Sequence, residues 1–315
     1  AENQFLADRF VEGECPHCGF EHAYGDQCEN CGSSLSPEQL INPISKISGS
    51  KPVEKETTHW YLPLGEYENF IKNWFLKDKK DSAKSNVYGQ VKSWIDQGLE
   101  SRAITRDLDW GIEIPREGYE NKRMYVWFEA VMVYYSASVH WAKNQGKPEE
   151  WKKWWENEDS EHYYFMAKDN IPFHTIIWPA MLSGCGYKLP YDVPANEYLL
   201  LDSSQFSKSR RHAIWIPDYL DRYDSELLRF YLASIMPEQK DANFTWEDYV
   251  TRINTELIGN YGNLMYRVMS FANKNFPEGL SSQNPVNAEL NEKTKKAFDK
   301  VSEALEACKF KKALQ

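Results

Sequence analysis

The sequence contains no long hydrophobic run, no excess of positive charge and few cysteines. No apolar stretch among its 315 residues approaches the roughly 18–20 residues that a transmembrane helix needs. The opening residues, A-E-N-Q-F-L-A-D-R, show no signal-peptide pattern. Lysine and arginine total 37 against 47 acidic residues, and the formal charge of −10 argues against a general nucleic-acid coat protein. An enzyme that meets nucleic acid through a local basic patch is compatible with this balance.

Apolar and aromatic residues are abundant instead. A hydrophobic content of 42%, with 15% aromatic residues, predicts a globular protein with sizeable cores, and the length allows two or three domains. Both ends suggest a fragment of a longer protein. The apolar positions in residues 5–11 have no start signal before them, and a helical pattern that includes Leu305 and Leu314 is still running where the sequence stops.

The six cysteines are unevenly placed. Cys185 and Cys308 stand alone, whereas the other four form two C-x-x-C arms, each of which places two thiolates on one tight turn. Two such turns close a tetrahedral S4 site, which favours zinc and leaves no open coordination position for catalysis. This usage predicts a structural zinc in a reducing cytoplasm and not a disulfide scaffold. The predicted ligands are Cys15, Cys18, Cys28 and Cys31, with His17 and His22 as surplus candidates.

Hydrophobic periodicity predicts helices alternating with strands in the middle of the chain. Residues 66–76 and 86–97 have apolar side chains at helical spacing. The continuous apolar run at 124–128, M-Y-V-W-F, is typical of a strand buried on both faces of a parallel sheet. A second buried strand is predicted at 163–167, Y-Y-F-M-A, and it runs directly into K-D-N and a helix that starts near Pro172. Polar residues at such strand ends are where open α/β sheets bind ligands.

Several charged residues in these segments have both a structural and a functional interpretation. Arg106 and Asp107 are neighbours in apolar surroundings and could form a structural ion pair, and Glu113 could be an ordinary edge residue of a strand. Asp169 and His174 could be a helix cap and a buried, hydrogen-bonded histidine. The residues alone leave both interpretations open.

A polar island, Gln205–Arg211 (Q-F-S-K-S-R-R), lies between two apolar runs. Its hydroxyls and cations suit a mobile loop that grips phosphate oxygens, although a solvated surface loop has a similar composition. Asp224 and Glu226 then predict the N-cap and first turn of a helix. From Thr245 onward the pattern is helical throughout, which indicates a change to an all-helical domain.

These motifs, taken together and in this order, resemble those of methionyl-tRNA synthetases, in particular of the archaeal and eukaryotic type. The resemblance covers nearly all of the chain up to Phe276. The matching segments are F-L-A-D-R-F-V-E-G with the two C-x-x-C arms, I-T-R-D with W-G, Y-V-W-F, F-M-A-K-D-N-I-P-F-H-T, F-S-K-S-R, R-F-Y-L-A and N-T-E-L-I-G-N-Y-G-N-L.

The resemblance implies an α/β fold with a class I synthetase Rossmann-type parallel sheet, of which this chain carries the second half. It also implies an inserted zinc-knuckle connective module and a C-terminal α-helical anticodon-binding domain. The implied boundaries are 1–120 for the connective segment, 121–240 for the second Rossmann half with the signature loop 205–209, and 241–315 for the start of the helical domain.

The activity implied is that of a methionine–tRNA ligase, an enzyme of protein biosynthesis. Such a ligase joins methionine to ATP, which carries Mg²⁺, as methionyl-adenylate plus pyrophosphate, and then transfers the methionyl group to tRNA-Met. No membrane partner is implied. The residues matching its methionine pocket are Trp127, Ala130, Tyr134, Phe173, His174 and Trp178. The other matching residues are Glu113 and Asp169 for the ATP ribose, Arg106 and the loop residues Ser207, Lys208 and Ser209 for catalysis, and Asn263 and Arg267 for the anticodon.

The sequence departs from the family pattern at several positions. The first class I signature, of the His-Ile-Gly-His type, is absent, as expected if that half of the fold is absent. Gln205 replaces the first lysine of the second signature, Glu129 a usual aspartate, Val131 a pocket proline or threonine, and Gly259 a common anticodon-facing asparagine. We therefore expect this polypeptide alone to form adenylate poorly or not at all.

Two alternatives remain open at this point. A non-catalytic tRNA- or RNA-binding derivative of the same scaffold would explain the missing first signature, but not the retained pocket and Lys208. A class I synthetase for leucine, isoleucine, valine or cysteine is disfavoured by the position of the cysteine arms and by F-H-T-I-I-W, whose tryptophan suits a pocket for an unbranched thioether.

Overall fold

The protein divides into two compact units, Ala1–Ala195 and Asn196–Gln315, in a computed structural model. The structure describes residues 5–6, 8–33, 35–208, 210–280 and 287–315. Within these ranges, no helix is both long and apolar enough to cross a membrane.

The strands are short and belong to small sheets. They are β1 (Val11–Glu14), β2 (Ala23–Tyr24), β3 (Ile41–Ser45), β4 (Tyr61–Leu62), β5 (Arg102–Ala103), β6 (Thr105–Asp107), β7 (Lys122–Met124), β8 (Met166–Ala167), β9 (Ala195–Asn196), β10 (Leu199–Leu201), β11 (Ser204–Gln205) and β12 (Ala242–Phe244). In the first unit, β1 pairs antiparallel with β2 and β3, β4 with β5, and β6 with β7. In the second unit, β10 pairs antiparallel with β11 and parallel with β12.

The helices vary from a single turn to the 19 residues of the longest one. They are α1 (Glu68–Ile71), α2 (Ser85–Gln97), α3 (Val126–Ala130), α4 (Val133–Asn144), α5 (Lys152–Trp155), α6 (Trp178–Cys185), α7 (Ile216–Leu220), α8 (Ser225–Ile235), α9 (Trp246–Arg252), α10 (Asn263–Asn275), α11 (Ala288–Glu306) and α12 (Phe310–Leu314). In the described part of the chain, three further segments are wound as π-helix, namely Lys72–Lys77, Phe173–Ile177 and Ile253–Gly262. Short 3₁₀ turns cover Asp8–Phe10, Pro37–Gln39, Leu64–Tyr67 and Lys168–Asn170.

Among its described residues, the first unit contains three clusters of buried side chains. The cysteine module, built on β1–β3, has a small core of Val11, Cys15, Ala23, Cys28, Leu35 and Leu40. A larger core joins α2 to two of the π-helical segments through Phe75, Val87, Val91, Ile95, Ile171 and Ile176. A third, aromatic cluster consists of Val131, Trp155, Tyr164, Trp178, Leu182 and Val193.

The core of the second unit is centred on Phe244 of β12. Its ring meets Tyr231 edge-on at 5.1 Å and Trp246 at 5.3 Å between ring centroids. Helix α8, which contributes Tyr231, begins where the sequence predicts. Asp224 is its N-cap, and the Asp224 carboxylate accepts a hydrogen bond of 2.8 Å from the backbone N–H of Glu226.

The apolar run at 124–128 is not a single buried strand, so this prediction is wrong. Strand β7 ends at Met124, and α3 follows with the side chain of Val126 54% exposed. The reason lies in the partner strand. The backbone N–H of Tyr125 still reaches the carbonyl oxygen of Ile104, but the residues before Ile104 belong to β5, which pairs with β4 instead. Because no described strand pairs with the chain after Tyr125, its backbone hydrogen bonds close locally as a helix.

The strand predicted at 163–167 is shorter than expected. Only β8 is regular, while Tyr163 makes an isolated parallel bridge to Asp192. Phe165 between them is 58% exposed, so the segment is not buried on both faces.

Arg106 and Asp107 do not form an ion pair with each other. Neighbouring side chains on a strand point to opposite faces, and these two residues belong to β6. On one side Arg106 Nη2 donates to Asp8 Oδ2 at 2.7 Å, and on the other Lys122 Nζ donates to Asp107 Oδ1 at 2.6 Å. The second carboxylate oxygen of Asp107 lies 3.3 Å from His59 Nε2.

Candidate functional site

The four predicted cysteine ligands come together in the cysteine module. Their sulfur atoms all lie within 4.8 Å of one another, with 3.8 Å between Cys15 and Cys31 and 3.6 Å between Cys18 and Cys28. A tetrahedral zinc site with Zn–S bonds of about 2.3 Å has sulfur atoms about 3.8 Å apart. The donor set and its spacing therefore fit zinc, and the cluster could hold this ion.

The backbone of the two arms supports thiolate ligands. The N–H groups of His17 and Cys18 face the sulfur of Cys15, and those of Asn30 and Cys31 face the sulfur of Cys28. A glycine follows each arm with φ near +70°, which L side chains rarely adopt, and its N–H closes the turn on the carbonyl oxygen of the first cysteine. The surplus candidate His22 is instead bonded to Glu12 at 2.8 Å.

Without a bound cation, the thiols of the cluster differ in pKa. Burial raises the pKa of Cys28 to about 12, whereas a hydrogen bond from the Asn30 amide is the main reason that the pKa of Cys18 is lowered to about 6. A dication among the four sulfurs favours the thiolate form of each of them.

Aromatic side chains of α3, α4 and the π-helical segment Phe173–Ile177 pack against one another. Because they include residues matched to the methionine pocket, this group is called the aromatic pocket below. Tyr134 and His174 are joined by a hydrogen bond of 2.9 Å between the Tyr134 hydroxyl and His174 Nε2. Trp127 of α3 stacks on Phe173 with ring centroids 5.0 Å apart. Ala130 is the last residue of α3. The structure thus brings the predicted residues of α3, α4 and the π-helical segment into two contacting pairs.

The hydrogen bonds of His174 determine where its ring carries a proton. Nδ1 lies 3.0 Å from the carbonyl oxygen of Asn170, which can only accept, so Nδ1 carries the hydrogen. Burial also lowers the pKa of His174, which favours the neutral ring. In the neutral ring Nε2 is then an acceptor, and the Tyr134 hydroxyl donates to it. His174 therefore holds the Tyr134 hydroxyl in place.

Tyr164 belongs to this pocket, although the sequence reasoning did not single it out. Its buried hydroxyl accepts a hydrogen bond of 3.0 Å from Trp178 Nε1, and its ring lies 4.9 Å from that of Tyr134. Trp178, predicted as a pocket residue, is 4% exposed and joins the pocket through Tyr164. Burial raises the pKa of the Tyr164 phenol to about 12, so the phenol stays protonated. The only available signal in the sequence was the aromatic run in which Tyr164 lies.

Glu129 of α3 has a carboxylate oxygen without a hydrogen-bond partner in the described residues. This oxygen is buried, and burial raises the pKa of Glu129.

The residues matched to the ATP ribose occupy different settings. Glu113 makes an isolated bridge to Arg123 and its side chain is 83% exposed. Asp169 is half-buried in the 3₁₀ turn after β8 and accepts a hydrogen bond of 3.1 Å from the Asn170 amide. Arg106, besides its ion pair with Asp8, stacks over the ring of Tyr125 at 4.0 Å.

The polar island in the second unit begins at Gln205, the last residue of β11, and Ser207 then forms an isolated antiparallel bridge with His212. Ser207 and His212 exchange backbone hydrogen bonds of 2.9 and 3.0 Å, and the side chain of Lys208 between them is exposed. His212 Nε2 donates to the carbonyl oxygen of Leu201 at 2.8 Å, which anchors the turn to β10. Ser209, the third predicted residue of this loop, lies outside the described residues.

The residues matched to anticodon recognition lie on α10. Asn263 and Arg267 are both exposed and are one helical turn apart. Gly259, in the preceding π-helical segment, has a local structural role. A Cβ at Gly259 would lie 2.9 Å from the carbonyl oxygen of Asn254, so this wide turn favours glycine over asparagine.

Comparisons of the sequence give a consistent set of relatives. The chain is 48% identical over 317 residues to the methionine–tRNA ligase of Christiangramia forsetii, covering 98% of this chain and 45% of that protein. It is 49% identical to that of Flavobacterium psychrophilum, covering 99% and 46%, and 47% identical to that of Dehalococcoides mccartyi, covering 99% and 57%. The chain thus spans about half the length of these curated relatives. Its assignment to an archaeal and eukaryotic type stays a prediction.

Comparison of the fold with solved structures also finds methionyl-tRNA synthetases. A crystal structure of Mycobacterium tuberculosis methionyl-tRNA synthetase bound by methionyl-adenylate superposes with a TM-score of 0.69 at 22% identity, covering 87% of this chain and 53% of that one. A second structure of the same protein in complex with methionyl-adenylate gives a TM-score of 0.71, covering 90% and 55%. The predicted class I synthetase fold is confirmed. The model of the family described as tRNA synthetases class I (M) matches residues 1–269, and the chain therefore belongs to this family.

Proposed function

We propose that this chain is part of a methionine–tRNA ligase that forms methionyl-adenylate from methionine and ATP and passes the methionyl group to tRNA. The observation that carries the proposal is the 48% identity over 98% of this chain to a relative of that name. The aromatic pocket around Tyr134 and His174 supports methionine as the amino acid, because aromatic rings and a thioether sulfur attract each other.

The remaining roles follow from the settings of the matched residues. The exposed cation of Lys208 is available to stabilise charge on the phosphate oxygens of Mg²⁺-bound ATP in the transition state, with Ser207 and Ser209 as hydrogen-bond donors. Asp169 and Glu113 carry carboxylates that can accept hydrogen bonds from the ribose hydroxyls of ATP. Asn263 and Arg267 lie on one helix with exposed amide and guanidinium groups, which suit unpaired anticodon bases of tRNA-Met.

The zinc in this proposal is structural. The four cysteines hold it, and it fixes the two arms of the module within residues 1–120. We place the protein in the cytoplasm, where reducing conditions keep such thiols available for a metal. Residues 121–240 and 241–315 are assigned to the second Rossmann half and the start of the anticodon-binding domain.

Methionine-dependent exchange of ATP and pyrophosphate by the full-length protein tests the activity. We expect exchange with methionine and none with leucine, isoleucine, valine or cysteine. Exchange with one of these in place of methionine would overturn the substrate assignment. Binding of tRNA-Met with no exchange for any amino acid would favour the non-catalytic alternative.

The role of Lys208 has its own test. Lys208→Ala should lower the rate of adenylate formation by about 10²–10³-fold, as loss of a transition-state contact does, and leave the Kd for methionine nearly unchanged. Lys240→Ala, another exposed lysine of the second unit, is the matched control and should change neither quantity. Equal losses in adenylate formation and methionine binding for Lys208→Ala would contradict a transition-state role.

A further inference from the structure

The hydroxyl group of Tyr164 is the centre of a line of hydrogen bonds beside the aromatic pocket. Trp178 Nε1 donates to it at 3.0 Å, and an indole nitrogen can only donate. The Tyr164 oxygen is therefore the acceptor of this bond, and its own hydrogen is left for another partner. His162 Nδ1, which lies 3.5 Å from the same oxygen, is the acceptor that this hydrogen reaches, in a long hydrogen bond.

The proton position on His162 gives this line its direction. His162 Nε2 lies 2.8 Å from the carbonyl oxygen of Trp154 in α5, and a carbonyl oxygen can only accept, so Nε2 carries the hydrogen. Burial lowers the pKa of His162, which favours the neutral ring with an unprotonated Nδ1. Each donor in the line then has one acceptor: Trp178 donates to Tyr164, Tyr164 to His162, and His162 to the Trp154 carbonyl.

The ring of Tyr164 connects this line to the aromatic pocket. Its centroid lies 4.9 Å from that of Tyr134 and 5.7 Å from that of His174, the two residues joined by their own hydrogen bond. Tyr164 is 6% exposed and Tyr134 is 41% exposed, so Tyr134 is open to a ligand from solvent and Tyr164 is not. A side chain with a packed ring and a bonded hydroxyl keeps one orientation, so Tyr164 supports both neighbouring rings.

We propose that Tyr164 is a positioning residue for methionine and that His162, outside the pocket, acts through it. The inference rests on the proposed function, in which methionine binds around Tyr134 and His174. The line of hydrogen bonds holds the Tyr164 ring, and the ring holds Tyr134 and His174 in the arrangement that fits the methionine side chain. Neither Tyr164 nor His162 touches methionine.

Tyr164→Phe in the full-length protein tests this role. The change keeps the ring and removes the hydroxyl, which leaves Trp178 Nε1 without its acceptor. We expect the KM for methionine in ATP–pyrophosphate exchange to rise on the order of tenfold, the equivalent of one lost hydrogen bond. The kcat and the KM for ATP should stay nearly unchanged, because the chemical step is not altered. An unchanged KM for methionine would overturn the proposal.

Tyr231→Phe is the matched control in the second unit. The Tyr231 side chain is 0% exposed and its hydroxyl donates to Asp248 Oδ2 at 2.9 Å, so this variant also loses a hydrogen bond of a buried tyrosine. Because Tyr231 belongs to a different core, the KM for methionine should keep its wild-type value. A rise as large as that in Tyr164→Phe would point to a general loss of stability and would contradict a positioning role.

His162→Phe tests whether His162 acts through Tyr164. Phenylalanine can keep the edge contact with Trp155, whose ring centroid is 4.8 Å away, but it offers no acceptor to the Tyr164 hydroxyl. We expect a smaller rise in the KM for methionine than in Tyr164→Phe, because the bond removed is long. The double variant should have the same KM as Tyr164→Phe alone, since that change already breaks the line. Effects that multiply in the double variant would show that His162 acts independently, against the proposal.

The proposed function and this inference fail in different ways. Absence of methionine-dependent exchange by the wild-type full-length protein overturns the proposed function. Exchange by the wild type with the same KM in Tyr164→Phe overturns only the positioning role. The indole ¹H–¹⁵N resonance of Trp178, assigned by its disappearance in Trp178→Phe, gives a measurement that needs no activity. It should move upfield in Tyr164→Phe, and an unmoved resonance would exclude the hydrogen bond on which the line depends.

Discussion

Replacing Tyr134 by phenylalanine removes one hydroxyl and leaves the rest of the pocket in place. The hydroxyl is the donor to Nε2 of His174 at 2.9 Å, and His174 is only 6% exposed, whereas Tyr134 itself is 41% exposed. Leaving a buried acceptor without a partner costs about 1–3 kcal/mol. The phenylalanine ring keeps the edge contact with Tyr164, whose ring centroid is 4.9 Å away, so little packing is lost. We therefore expect Tyr134→Phe to lower the free energy of unfolding by about 1–3 kcal/mol.

Urea unfolding of the two proteins measures this difference, and Tyr266→Phe is the matched control. Tyr266 is 74% exposed on α10, so its variant should stay within about 0.5 kcal/mol of the wild type. Imidazole ¹⁵N spectra then test the cause. At neutral pH the proton of His174 should be found on Nδ1, with Nε2 unprotonated. A proton on Nε2, or equal stabilities of Tyr134→Phe and Tyr266→Phe, would refute this hydrogen-bond assignment.

Three other predictions concern pH, the metal and the second core. Burial lowers the pKa of His174, so on acidification the unfolded chain binds the proton before the folded chain does. The free energy of unfolding therefore falls as pH drops below about 6.5. Between pH 8 and pH 5.5, His174→Gln should lose less of this free energy than the wild type. Elemental analysis should find one zinc per chain, which Cys15→Ser loses and Cys185→Ser retains, because Cys185 lies outside the cluster. Phe244→Ala should cost about 3–5 kcal/mol in urea unfolding, because Phe244 is 1% exposed in its core.

The outcomes that would contradict these three are equally direct. If acid lowers the free energy of unfolding equally in His174→Gln and in the wild type, His174 does not contribute to the pH dependence of stability. Zinc retained in Cys15→Ser would exclude the four-cysteine site. A cost for Phe244→Ala no larger than for Phe271→Ala, a 64% exposed position, would mean that Phe244 does not organise its core.

Several features could be predicted from the sequence because they depend on short-range geometry. The C-x-x-C spacing places two sulfurs on one turn, and the four sulfurs do lie within 4.8 Å of one another. Helix α2 covers Ser85–Gln97, close to the 86–97 that apolar spacing predicts, and α8 begins after Asp224, as the capping pattern predicts. Helical periodicity also identified the helices after Thr245.

Other features were decided only by the tertiary structure, because they depend on which distant segment is available as a partner. The run at 124–128 has enough apolar residues for a strand, but β5 is already paired with β4, so the chain becomes α3. Arg106 finds Asp8, 98 positions away, and not its neighbour Asp107. The proton positions on His174 and His162 likewise follow from three-dimensional neighbours. The sequence by itself thus determined the residue types and local turns of the site, whereas long-range pairing determined the partner of each polar atom.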